Sequence, residues 1–166
     1  MNNIEFANAL KKVANEYNTV YLYGCYGQLV EENIIKYKSN QYPEWYTKER
    51  IEKFRKLYGK NYYGFDCVCL IKGVLWGFLN GKIEKNSNDV PDINADEMYR
   101  RSQDVSTDFS NIEIGEIVWL SEHIGVYIGD NSVVECTPKW KDGVQIIKLS
   151  DREWVAHGKL PYVDYN

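Results

Sequence analysis

Histidine is scarce in this chain: 166 residues hold two, His123 and His157. Any chemistry that needs an imidazole base must draw on one of them. Positive charge is not in excess either, since 20 Lys and Arg face 24 Asp and Glu for a net charge of -4. There is thus no electrostatic reason to expect a nucleic-acid partner; the short basic cluster "KERIEKFRK" interleaves acids and reads as a solvated helix face. No stretch approaches the length of a membrane span, so no membrane insertion is expected. The amino-terminal "MNNIEFANALKKVANEY" lacks a basic start followed by an apolar run and a small-residue cleavage site. The expectation is synthesis without a secretory signal and folding in a reducing cytoplasm, where four cysteines do not form a disulfide framework. Internal repeats, low-complexity tracts and linkers are absent. At this length a single domain, residues 1–166, buries a core without metal or disulfide staples.

What is present divides into helices first and strands second. Ile4, Ala7, Leu10, Val13, Ala14 and Tyr17 recur at helical spacing, which predicts an amphipathic helix over 3–17 that packs on a sheet. "TVYLYGCYG" predicts a short extended segment broken at Gly24 and Gly27. Residues 28–62 read as two helical pieces interrupted at "SNQYPEWY", where Pro43 forces Tyr42 out of helical geometry. Asp66 is a helix N-cap, and the apolar residues from Val68 to Leu79 predict a buried helix ended by Gly81. "NADEMYRRS" reads as a short helix with Asn94 and Glu97 spaced as a capping box. From 115 onward "GEIVWL", "HIGVYIG", "SVVECT" and "GVQIIKL" predict four strands in an antiparallel meander, with a tight hairpin at "GDN". The fold class expected is α+β, with helices packed on a central antiparallel β-sheet. The 14 tyrosines and five tryptophans suit either an aromatic core or a groove for an extended polymer.

The chemistry concentrates in "FDCVC". If Asp66 caps a helix, Cys67 is the first helical residue, where unpaired amides and the positive end of the helix dipole lower a thiol pKa. The same amides can hold an oxyanion. Cys69 lies about 200° further round the helix and is expected to face away into the core, so a two-cysteine metal clamp is not expected. Cys25 and Cys136 read as small buried residues. His123 opens a strand directly after the turn "SE", which places its ring rigidly; His157, near the carboxyl end, reads as a surface or strand-packing residue. Across the predicted hairpin the return strand passes His123 near Glu135. A carboxylate inside "VVEC" is anomalous unless it orients the imidazole. Cys67, His123 and Glu135 are thus the expected catalytic residues.

These stretches resemble a known family. "FDCVCLIKGVLWG" followed by "GEIVWLSEHIGVYIGDNSVVECT" is similar to the NlpC family of cell-wall cysteine peptidases, papain-like enzymes with Asp-Cys-Ser-Gly-Leu at a helix start and Gly-Asp-Leu-Val before a His-Val-Gly-Ile-Tyr strand. "YLYGCYGQ" resembles the family's Tyr-x-Trp-Gly-Gly segment. The resemblance implies a papain-like fold with Cys67 as nucleophile, His123 as base and Glu135 as orienting residue. It also implies Tyr21 lining the site and Asp66 helping to bind the free amine of a short stem peptide. No cofactor or metal is implied, and the partner would be the peptidoglycan stem peptide, cleaved between γ-D-glutamate and the diamino acid. Val68 and Cys69 stand in place of Ser-Gly, Cys25 in place of a glycine, and Glu135 where histidine is commonest. The segment around "QYPEWYTKER" resembles phage and prophage cell-wall enzymes. That implies action on the wall after release from the cell or as part of a phage particle. Two alternatives stay open: a non-catalytic phage structural or binding module of the same fold, and an amidase or acyltransferase on a non-wall substrate.

Overall fold

The computed structural model describes residues 1–166. It opens on helix α1 (Asn3–Glu16), started by a complete capping box in which Asn2 Oδ1 accepts from Glu5 N at 2.8 Å and Glu5 Oε2 from Asn2 N at 2.9 Å. The buried stripe is Phe6, Ala7, Leu10 and Val13. Ile4, expected inside, is 47 % exposed, because the stripe centres on Phe6 and Leu10 and turns Ile4 outward.

Strands β1 (Asn18–Tyr21), β2 (Tyr26–Leu29) and β3 (Tyr62–Phe65) form a small sheet in the order β1-β3-β2, with β1 parallel and β2 antiparallel to β3. The expected helix over 28–62 is corrected at both ends. Four-residue strands are too short to display an alternation, and their pairing joins segments far apart in sequence. Between them lie α2 (Glu32–Gln41) and α3 (Lys48–Arg55), and Tyr42 leaves the helical region before Pro43 with φ -131° and ψ 62°. Leu22, Cys25, Ile35, Tyr46 and Phe54 make a core of their own behind this sheet, apart from the main core.

Helix α4 (Cys67–Leu75) follows at once. Asp66 is extended at φ -106° and ψ -175°, and its Oδ1 accepts from Cys69 N at 2.8 Å. Every residue of α4 is buried, as a nearly all-apolar sequence requires. At Gly73 a Cβ would lie 2.2 Å from the Tyr26 carbonyl oxygen, so α4 rests directly on the backbone of β2. The helix ends at Leu75, earlier than Gly81, because Gly77 turns left-handed at φ +107° and Asn88 Nδ2 takes the free Leu75 carbonyl at 2.8 Å. Helix α5 (Ala95–Arg100) is capped by Asn94, but the reciprocal half of the expected box is missing, since the Glu97 carboxylate pairs with Arg100 and Arg101.

The remainder is a six-stranded antiparallel sheet made of β4 (Gln103–Ser106), β5 (Ile117–Leu120), β6 (His123–Gly129), β7 (Ser132–Thr137), β8 (Gly143–Lys148) and β9 (Ala156–Lys159), in the order β4-β9-β5-β6-β7-β8. The expected meander β5 to β8 is its centre. Strands β4 and β9 add an edge that "QDVS" and "AHGK" do not announce, having few β-branched residues. Helices α1 and α4 cover one face, burying Ile117, Ile124, Val126, Val134 and Cys136 with Phe6 and Leu70. The opposite face carries a smaller cluster of Val118, Val133, Ile147 and Trp154. The α+β architecture with helices on an antiparallel sheet is as expected. All four cysteines are free thiols, and no helix is long and apolar enough to cross a membrane.

Candidate active site

Cys67 is the first residue of α4 and 8 % exposed. Its thiol donates to the Glu122 carbonyl oxygen at 3.9 Å. Burial pushes it up to about 12, the charge of Asp66 adds to this, and the backbone amides of Val68, Ile124 and Cys67 itself pull it down without prevailing. The expected low thiol pKa is therefore corrected: removal from water outweighs the helix start. At neutral pH the sulfur carries its proton and must lose it as it attacks. Iodoacetamide labelling of Cys67, followed by peptide mass, should accordingly be slow at pH 6 and rise about tenfold per pH unit from 7 to 10. A plateau already reached in mild acid would mean that a thiolate is present and would contradict this picture.

The sulfur sits against the start of β6. Leu120 pairs with His123, so Ser121 and Glu122 form a two-residue loop between β5 and β6. Glu122 adopts φ +65°, costly for a non-glycine residue by about 1 kcal/mol. Asp96 Oδ1 holds this turn by accepting from Glu122 N at 2.8 Å and from Trp119 Nε1 at 2.9 Å. The two residues flanking His123 both act on the sulfur, Glu122 through its carbonyl and Ile124 through its amide. No hydrogen bond joins the His123 ring to Cys67, and contacts of this kind can tighten around a bound substrate.

On its other side the His123 ring meets Glu135, with Nε2 3.4 Å from Oε2, a close approach that lacks hydrogen-bond geometry. Glu135 is fully buried and clamped by Arg152, whose Nε lies 2.8 Å from Oε2 and whose Nη2 lies 2.6 Å from Oε1. Burial alone would raise the Glu135 carboxyl, but the His123 and Arg152 side chains more than offset it and hold it below its ordinary range. A Cβ at Gly125 would lie 2.8 Å from Val133 Cγ1 and 3.1 Å from the Val134 carbonyl oxygen, so the glycine lets β7 approach β6 closely beside Glu135. Trp154 stacks on the His123 ring at 5.6 Å and 12°, restricting its rotation and covering it from solvent.

Arg152 and Trp154 escaped the sequence reading. The signal that could have found them is the anomalous acid in "VVEC", because a carboxylate buried that deeply requires a cation. His157 packs inside, as one of its two readings expected, with Nδ1 3.0 Å from Glu116 Oε2 and Nε2 donating to the Asp108 carbonyl at 2.8 Å. With both ring nitrogens engaged, it is not available to Cys67.

Cys67 opens onto a cleft of about 580 Å³ between the small sheet, the start of α4 and the segment before α5. Tyr21 and Asp66 both line it. Burial and then the nearby Cys67 raise the Tyr21 phenol, so it stays a neutral donor beside the sulfur. Asp66 is 6 % exposed, with Oδ1 on the Cys69 amide and Oδ2 on the Gly24 amide at 2.9 Å. Its carboxylate joins the helix start to the turn after β1 while forming part of the cleft wall. Cys69 is 5 % exposed and belongs to the main core, as expected, although the residue also borders the cleft. Burial, then the Asp66 charge, holds the Cys69 thiol well above its ordinary value. No group of three or more His, Cys, Asp or Glu is arranged to hold a metal ion.

No protein-family model matches the sequence, and no curated protein matches it. Among solved structures the chain is similar to NlpC2 from Trichomonas vaginalis, with 13 % identity, a TM-score of 0.52, and coverage of 95 % of this chain and 46 % of that one. It also overlaps NlpC1 from the same organism, with 14 % identity, a TM-score of 0.49, and coverage of 95 % of this chain and 44 % of that one. The chain thus spans less than half the length of these structures. At such identity the likeness speaks for the fold alone, and the fold is papain-like and of the NlpC type.

Proposed function

We propose that this chain is a cysteine hydrolase that cleaves an amide bond in the peptidoglycan stem peptide, with Cys67 as nucleophile, His123 as base and Glu135 as the residue that orients His123. The observation that carries the reading is the junction at the start of β6, where the residues on both sides of His123 touch the Cys67 sulfur in a cleft. His123 Nε2 faces Glu135, which leaves Nδ1 to take the thiol proton. The sulfur then bonds to the amide carbon, and the carbonyl oxygen becomes an oxyanion opposite the amides of the α4 start. The tetrahedral intermediate collapses as the C–N bond breaks and the proton on His123 passes to the leaving amine. Water, deprotonated by His123, attacks the thioester and releases the acid and the free thiol. Tyr21 and Asp66 line the acyl-binding region, and the bond between γ-D-glutamate and the diamino acid is the preferred target.

Digestion of defined muropeptides, with the products weighed, tests both bond and chemistry. The expected products are a new free amine on the diamino acid and a free γ-carboxyl on glutamate. Replacing His123 by Ala should cost more in kcat/KM than replacing Glu135 by Gln, since the second residue orients and does not transfer the proton. Equal losses would assign Glu135 a direct role; retention of full activity in His123→Ala would remove the mechanism. A neutral Cys67 thiol without a hydrogen bond to His123 also favours a second reading, a non-catalytic binding module of the same fold. Absence of any product with every defined muropeptide would favour that one. Action after release from the cell or within a phage particle remains part of the same proposal.

A further inference from the structure

The cleft has a basic end that the hydrolytic steps do not use. Lys38, on α2, is 6 % exposed and lines the cleft. Its Nζ meets Gln41 Oε1 at 3.3 Å and the rings of Tyr26, Tyr37 and Tyr42 at 5.7, 5.6 and 5.8 Å. None of these partners is a carboxylate. The neighbouring cations differ in this respect: Lys72 is equally buried but has Asp92 Oδ1 at 2.6 Å and the Ile93 carbonyl at 2.9 Å. Lys85 takes the second oxygen of Asp92 at 2.9 Å. One carboxylate thus serves two ammonium groups, and the third has only ring faces and an amide oxygen.

A buried ammonium without a counter-ion is costly, and aromatic faces compensate it only in part. The other charges of the cleft do not supply the missing partner. Asp66 spends both oxygens on the amides of Cys69 and Gly24, and Asp96 holds Trp119 and Glu122 beside the sulfur. The cleft thus holds Asp66, Asp96 and Glu122 as well as Cys67, but none of these carboxylates pairs with Lys38, whose ammonium has Gln41 as its hydrogen-bond partner. An occupant that completes it carries a negative group where Lys38 points.

We propose that Lys38 is the anchoring residue for a carboxylate of the substrate, so that the cleft selects a peptide bearing a free carboxylate near the amide presented to Cys67. This rests on the reading of the cleft as the substrate site of a hydrolase. The probes are a synthetic γ-glutamyl stem tripeptide with its carboxylates free and the same peptide with them amidated, titrated calorimetrically into the full chain carrying Cys67→Ala. The acid should bind about 10–100-fold tighter than the amide, the range of a charge-assisted contact. Adding Lys38→Met should bring the ratio close to one, whereas Lys38→Arg should keep most of it. A ratio near one without any change at Lys38, a ratio unaltered by Lys38→Met, or no binding of the acid overturns the proposal. If Lys38→Met fails to fold in a thermal melt, the acid-to-amide ratio and its loss with added salt in the Lys38-containing protein decide. Turnover of the acid peptide by the unsubstituted protein is measured separately. Selective binding without turnover would remove the hydrolase reading and keep the anchor; turnover indifferent to Lys38 would do the reverse.

Discussion

Replacing Cys67 by Ala should reduce hydrolysis of a susceptible stem peptide by on the order of 10⁴-fold or more, the scale on which loss of a covalent nucleophile is felt. The large effect follows from the lack of a substitute. Cys69 borders the same cleft, but its thiol is held well above its ordinary value, and the residues around His123 contact the sulfur of Cys67. The fold should survive. The substitution removes one sulfur from a site of 8 % exposure and one weak hydrogen bond, a cost of about 1 kcal/mol. Thermal unfolding followed by circular dichroism, paired with lysis of purified cell wall, separates the two outcomes. A stable variant that still lyses the wall would place the nucleophile elsewhere.

Arg152→Met should lower stability by about 3–5 kcal/mol, as expected when one partner of a buried ion pair is removed. Glu135 is fully buried and Arg152 makes its closest contacts, so the variant would strand an anion. The sign of the pH dependence provides a second readout. In the unsubstituted protein Glu135 is held below its ordinary range. Its ionised form therefore stabilises the fold above the unfolded-state pKa, and this contribution is lost as pH falls through the lower folded value. Without Arg152 burial dominates and the folded pKa rises, so the Glu135 contribution should reverse and the variant should regain stability as the acid protonates. Urea unfolding at pH 7 and pH 5 measures both. The double change Glu135→Gln with Arg152→Met should recover much of the loss; if it does not, Arg152 stabilises through its contacts with the Trp140 and Trp154 rings.

The features that local chemistry controls were legible. Asp66 capping, the break before Pro43 and the meander from β5 to β8 each depend on residues near in sequence. So did the pairing of His123 with Glu135, because a tight hairpin fixes what lies opposite what. Strands β2, β3, β4 and β9 were not legible, since their sequences YGQL, YYGF, QDVS and AHGK lack a β-branched run and each is defined by a partner from a distant segment. The Cys67 thiol was misjudged for a related reason. A helix start favours a thiolate, but the burial that outweighs it arises only in the folded chain, where the sulfur is covered at the start of β6. The burial of Cys69 in the main core follows the helical wheel. Lys38 lies on a helix that was expected, yet its burial depends on Tyr26 and Tyr42, brought together by the small sheet.

That small sheet has a core of its own, with Leu22, Cys25, Ile35, Tyr46 and Phe54 packed apart from the residues beneath α1 and α4. The wall carrying Lys38 and Tyr42 belongs to this lesser core, and the wall carrying Cys67 belongs to the greater. The two cores are joined through the small sheet, because Phe65 of β3 packs in the greater one and α4 rests on the backbone of β2; a loss of packing in the lesser core therefore moves Lys38 while Cys67 keeps its place in the greater.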